Sequence, residues 1–219
     1  MTTRSHTGFR ARLRDGTRSV HDAVEAVFQP FHDDPAAEMG PFLRAQWLAL
    51  EALARAAAGT QTPEEEAVLA ALLAALSEDG AAGRPLGPVP ALDPLAVAYV
   101  VFGSRLGTLV LTRRATDAGV APLPAYFDPR DTRQAWQAIC ARLDEIGPED
   151  PRARQVETDV TVAFSCFLAA ARLVREERAG TASQLPRTGE TLPDLAPGRG
   201  PEQERPEGGF PEDRMNMNA

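Results

Sequence analysis

Apolar positions recur at helical spacing through most of the chain, and proline, glycine and capping residues cut that periodicity into segments. From Arg4 to Gln29 the pattern predicts a first helix, ended by the stretch QPFHDDP. Residues 38 to 58 predict a second, with Leu43, Trp47, Leu50 and Ala54 at helical spacing. Thr62-Pro63-Glu64-Glu65 is a helix start, with a hydroxyl N-cap, proline at the first position and acids in the first turn. That third helix runs through Leu76 and stops in GAAGRPLGPVP. Asp93-Pro94 is another start. AVAYVVF has strand propensity in isolation, but a run of about 20 residues behind such a cap is too long for an ordinary strand, so a helix is predicted from 94 to about 117. A fifth helix, about 130 to 146, carries Trp136, Ile139 and Leu143. After GPEDP a last one spans about 151 to 178 with Val156, Val160, Ala163, Phe164, Phe167 and Leu168 inward. No alternating strand of useful length remains. The expected fold is all-α, an irregular bundle of six or more helices.

Composition changes this picture at the C-terminal end. From about residue 180 the chain is rich in Pro, Gly, Glu, Arg and Asn and poor in large apolar side chains, so it cannot bury enough surface to offset its ordering entropy. The expected organisation is one helical domain over 1–179 and a disordered tail over 180–219. The tail carries net charge −3, which leaves −5 of the total −8 on the body. An acidic chain of this kind is not built to displace counterions from nucleic acid. It contains no lysine; its 23 basic residues are all arginine, so any carboxylate-binding site must use guanidinium forks. The N-terminus has no apolar run of signal-peptide length, and Arg105 interrupts the longest apolar run. A soluble, cytoplasmic protein that does not enter a membrane is expected. Cys140 and Cys166 lie 26 residues apart with no second pair, and are expected to be reduced, structural thiols.

Two short stretches carry chemistry. In LRDGTRSVHDAVEAVF, residues 13 to 28, Leu13, Thr17, Val20, Val24, Val27 and Phe28 share a helical face about 100° wide. His21 falls at its edge, with Glu25 one turn later and Arg14 and Arg18 beyond. A histidine at such a boundary is ordinarily a surface side chain. Neutral imidazole is also a good axial ligand for haem iron, and a ligating histidine commonly gives its other ring N–H to a carboxylate. His6 and His32 lack this setting and receive no role. In GSRLG, residues 103 to 107, two glycines four residues apart sit on one face of a predicted helix, where each costs roughly 1 kcal/mol relative to alanine. Bare backbone there admits either a neighbouring helix or a flat ligand.

Together these residues resemble the haem oxygenase family. Arg14, Thr17, His21 and Glu25 are similar to the proximal helix of that family, and YVVFGSRLG, Tyr99 to Gly107, resembles the glycine-containing distal helix of its bacterial members. The resemblance covers about residues 8 to 178. It implies an irregular haem oxygenase-type bundle in which haem is both substrate and cofactor. Dioxygen and electrons from a reductase or ferredoxin would yield biliverdin, carbon monoxide and ferrous iron. It implies His21 as the iron ligand, Glu25 as its supporting carboxylate, and Arg14 and Arg18 as propionate partners. Thr17 and Tyr99 would also bind haem, and Gly103, Ser104 and Gly107 would form the distal surface with its ordered water. A bilin-accepting phytochrome is the implied partner. The family pattern is broken by Phe102, where bacterial members have an acid, and by Thr108, where they have a smaller residue. Arg133 and Arg142 are both candidates for a third propionate contact. A non-catalytic haem- or bilin-binding protein on the same scaffold is the alternative.

Overall fold

The computed structural model describes residues 8–128, 132–147 and 149–184. Among them the chain forms eight α-helices and one short 3-10 turn, with no strand. The expected first helix is divided into α1 (Phe9–Gly16), α2 (Arg18–Val27) and α3 (Gln29–Asp33). The first break lies at Thr17, with φ −100° and ψ 4°; its buried hydroxyl donates to the Leu13 carbonyl at 2.8 Å. The second lies at Phe28, two residues before a proline that has no N–H to give but is tolerated in the first turn of α3. The QPFHDDP stretch is therefore mostly helical. Residues 4 to 7 of the expected helix lie outside the described residues.

α4 (Pro35–Ala56) begins three residues earlier than expected, because Asp34 caps it by accepting from Ala37 N–H. α5 (Pro63–Glu78) starts with a complete capping box: the Thr62 hydroxyl accepts from Glu65 N–H, and the Glu65 carboxylate accepts from Thr62 N–H. α6 (Pro94–Asp117) has the predicted bounds. Asp93 caps its start and is held in turn by Arg152, while the Asp159 carboxylate accepts from Asp93 N–H at 2.7 Å. After the 3-10 turn Ala125–Phe127 come α7 (Arg133–Asp144) and α8 (Pro151–Gln184). α8 runs past the expected end at 178 and past the expected domain boundary. The rest of the expected tail, from 185, lies outside the described residues.

α8 is the organising element. Ala153, Val156, Val160, Ala163, Phe167, Ala170 and Val174 are all buried at alternating spacings of three and four, which keeps one stripe facing α4 and α6. Alanines within that stripe let α4 approach closely along Ala45, Ala49 and Ala52, with Leu48 and Leu53 filling the core beside them. The proline-rich loop after α5 is anchored through its carbonyls by Arg44, which donates to Ala81 and Arg84, and by Arg55, which donates to Leu86. Both cysteines are free and buried. α6 is long and apolar enough to cross a membrane by composition alone, and half of its apolar window is buried within the protein. Arg105, at the middle of that helix, is itself only 7% exposed, with its guanidinium over the Tyr126 ring and donating to the Tyr126 carbonyl.

Candidate functional site

α2 is strongly amphipathic, yet none of its residues is fully buried. Val24, with Phe28 just beyond the helix, packs only partly on the core, because a cavity of about 760 Å³ lies along this face. That volume is in the range of small-molecule and cofactor sites. Arg14, Thr17, Arg18, His21, Glu25 and Phe28 line one wall, with Arg14, Arg18, His21, Glu25 and Phe28 following one another at intervals of three and four and Thr17 beside Arg18. The facing wall is α6, where Tyr99, the adjacent pairs Gly103–Ser104 and Gly107–Thr108, and Leu111 recur turn by turn as a second stripe. All nine residues singled out from the sequence therefore line one cavity, although the two stretches are some seventy residues apart.

The geometry bears directly on the two glycines. A Cβ built at Gly107 would meet nothing within 4 Å, and one at Gly103 would touch only the Trp136 ring, at 3.5 Å. Among the described residues no neighbouring helix is seated on Gly107, and α7 reaches Gly103 only through the Trp136 ring. Beside it Leu106 and Val110 are 51% and 56% exposed while also lining the cavity, so this wall leaves apolar surface uncovered. Phe102 points the other way: it is 1% exposed, in the core, and does not line the cavity. Thr108 does line it. Its hydroxyl is directed back toward the Ser104 carbonyl at 3.5 Å, and the Ser104 hydroxyl donates to the Val101 carbonyl at 2.7 Å. Both threonine and serine protons are thus turned into the helix, which is the ordinary local competition between hydroxyl side chains and backbone.

His21 is 51% exposed. Its ring stands edge-on to Phe164, with centroids 5.5 Å apart. Nδ1 lies 3.7 Å from a Glu25 oxygen and 3.9 Å from an Asp22 oxygen, longer than a hydrogen bond but close enough for charge interaction. Arg14 and Arg18 are exposed at the cavity edge and both approach Asp15, at 3.3 and 3.4 Å. Neither Arg133 nor Arg142 lines the cavity; Arg142 instead pairs with the buried Glu65 carboxylate of the α5 capping box.

Several lining residues carry no signal in the sequence. Trp136 on α7 stacks at a tilt beside Tyr99, with ring centroids 5.6 Å apart. Phe164 and Phe167 come from α8, and Phe42 and Gln46 from α4. Phe164, expected to face inward, is half-buried and lines the cavity. At this end Tyr126 donates its hydroxyl to Gln46 at 3.2 Å, and burial raises its pKa despite the opposing charge of Arg105. His32, given no role from the sequence, also lines the cavity. Burial lowers its pKa, the Arg114 cation adds to that, and its Nδ1 has no hydrogen-bond partner among the described residues. Such residues reach the site through packing angles between helices rather than through any local pattern.

The arrangement pairs one accessible imidazole with a largely apolar cleft, two guanidinium groups at its edge and a stretch of bare helix backbone opposite. It suits a flat, mainly apolar ligand with anionic ends and a ligand-accepting metal. No protein-family model matches the chain, and no curated protein matches it.

Proposed function

We propose that this chain is a haem oxygenase, cleaving haem oxidatively to biliverdin, carbon monoxide and ferrous iron. The observation that carries the reading is the facing of His21 on α2 and the open backbone of Gly107 on α6 across one cavity large enough for a cofactor. When bound, haem supplies both the iron that activates dioxygen and the carbon that is oxidised. His21 would hold the iron. Glu25, already 3.7 Å from Nδ1, accepts that ring proton after a small side-chain movement and so keeps Nε2 free for the metal. Arg14 and Arg18 pair with anionic substituents at the edge, exchanging the weak, exposed contacts they make to Asp15. Leu106, Val110, Tyr99 and Phe164 cover apolar surface and exclude water. Gly103 and Gly107 let backbone rather than side chain face the reacting side. In this reading the protein works in the cytoplasm, takes electrons from a reductase or ferredoxin, and passes bilin to an acceptor such as a phytochrome.

One observation favours a second reading, a haem- or bilin-binding protein without turnover. The hydroxyl protons of Ser104 and Thr108 are directed to carbonyls of their own helix, which leaves the α6 wall short of free donors for organising water on that side of the cavity. Protein reconstituted with one haem decides between the two. With oxygen and an electron donor, the enzyme reading expects the Soret band to fall as the broad red absorption of biliverdin rises, with transient carbon monoxide on the remaining ferrous haem. Haem that binds but persists, or bleaches without bilin in the presence of catalase, overturns the enzyme reading and leaves the binding protein.

A further inference from the structure

His21 is also the centre of a second possible donor set. His21, Asp22 and Glu25 each present one ligand atom to the others, all within 4.8 Å of one another, on a single turn of α2. The two separations from Nδ1 are 3.7 and 3.9 Å. Donors on a tetrahedral ion with bonds of about 2.1 Å stand about 3.4 Å apart. Exposed side chains on a helix close that difference by small rotations. The imidazole stands edge-on to the Phe164 ring, and its Nδ1 lies within 3.9 Å of both carboxylates. Arg18, one turn before Asp22, is drawn instead to Asp15, and among the described residues neither Asp22 nor Glu25 has an arginine within ion-pair distance. One imidazole and two carboxylates neutralise a divalent charge and suit borderline first-row ions such as Zn²⁺, Co²⁺ or Fe²⁺, with water completing the shell.

We propose that the haem-free chain binds one first-row divalent cation at His21, Asp22 and Glu25, and that this cation keeps haem from His21. The cation half rests on this cluster alone; the exclusion half rests on the haem reading. An imidazole bound to a cation through Nδ1 carries its remaining ring proton on Nε2 and has no lone pair there for iron in the cavity. The two occupants are therefore alternatives at one side chain. Ferrous iron, a product of the proposed reaction, belongs to the class of ion that the cluster takes.

The test uses the full chain stripped of metal with a chelator. Titration with Co²⁺, followed by its visible ligand-field bands, and with Zn²⁺ by calorimetry should give saturable one-to-one binding. Asp22→Asn and Glu25→Gln should each weaken it at least tenfold with unchanged helicity, and His6→Ala should not. Absence of saturable binding, or equal binding in the Asp22 and Glu25 variants, overturns the site. In the second arm haem is titrated with and without Zn²⁺. Zinc should weaken haem binding by wild type at least tenfold, and the zinc effect should largely vanish in Asp22→Asn. Equal haem binding with zinc present overturns the exclusion. If metal-free protein takes no haem while the cation still binds, the haem reading falls and the exclusion with it, and the cation site stands.

Discussion

At the scale of single residues, side chains near the cavity and side chains holding the scaffold have different energetic consequences. His21 is half exposed, so removing it costs the core little. His21→Ala should leave stability within about 0.5 kcal/mol of wild type in a denaturant melt, while abolishing the imidazole-ligated haem spectrum. An unchanged axial-ligand signature in that variant would remove the assignment. Asp93 behaves in the opposite way. Burial by itself raises its pKa, but the paired hydrogen bonds from Arg152 and the Leu95 N–H outweigh it, and the net shift is downward from 3.8. A carboxylate with a depressed folded-state pKa contributes stability that is fully present above its unfolded value and lost as pH falls through the folded value. Asp93→Ala should therefore cost about 1–2 kcal/mol at pH 7. Urea titrations at descending pH should show that difference narrowing only below pH 3.8, the ordinary value.

At the scale of elements, α6 carries two glycines that look alike in sequence and differ in surroundings. Nothing opposes a side chain at Gly107, so Gly107→Leu should leave the haem-free protein as stable as wild type or raise it by roughly 0.5–1 kcal/mol, the usual cost of glycine within a helix. The same leucine enters the cavity and should lower haem affinity at least tenfold. At Gly103 a Cβ already touches Trp136, and the remainder of a leucine side chain crowds that ring. Gly103→Leu should destabilise the haem-free protein by about 1–3 kcal/mol, as overpacking does. Parallel melts and haem titrations of the two variants check both statements. Equal destabilisation by both would mean that a neighbouring helix seats on Gly107 after all.

At the scale of the whole molecule, the cavity divides a well-packed body from one lightly held helix. α4 and α8 share the largest interface and bury continuous stripes, whereas α2 buries no residue completely. Local opening follows buried apolar contact. Backbone amides of α2 should exchange with solvent well before those of α4 and the buried half of α8, and haem should slow α2 and the facing stretch of α6 selectively. Uniform protection over the whole body would place the ligand elsewhere. Binding also adds to folding stability by mass action, about 2.7 kcal/mol at a hundredfold excess over Kd. A thermal shift on adding haem that disappears in His21→Ala would tie that gain to the same side chain.

Much of this was legible along the chain. Caps and prolines marked the starts of α5 and α6 because they act within one turn, through hydrogen bonds between near neighbours. The stretches from Arg14 to Phe28 and from Tyr99 to Thr108 were legible for the same reason, since helical spacing decides which side chains share a face. Three kinds of fact were not. The breaks at Thr17 and Phe28 do not interrupt the apolar pattern. Whether Gly107 meets a helix or open space depends on what α7 and α8 place opposite it. The aromatic residues Trp136, Phe164 and Tyr126 and the imidazole of His32 join the site only because helices far apart in sequence cross at particular angles. Local sequence determined the helices and the faces they present. Only tertiary packing decided that two of those faces stand apart with a cavity between them, because that gap is set by the bulk of side chains on other helices and not by either stripe.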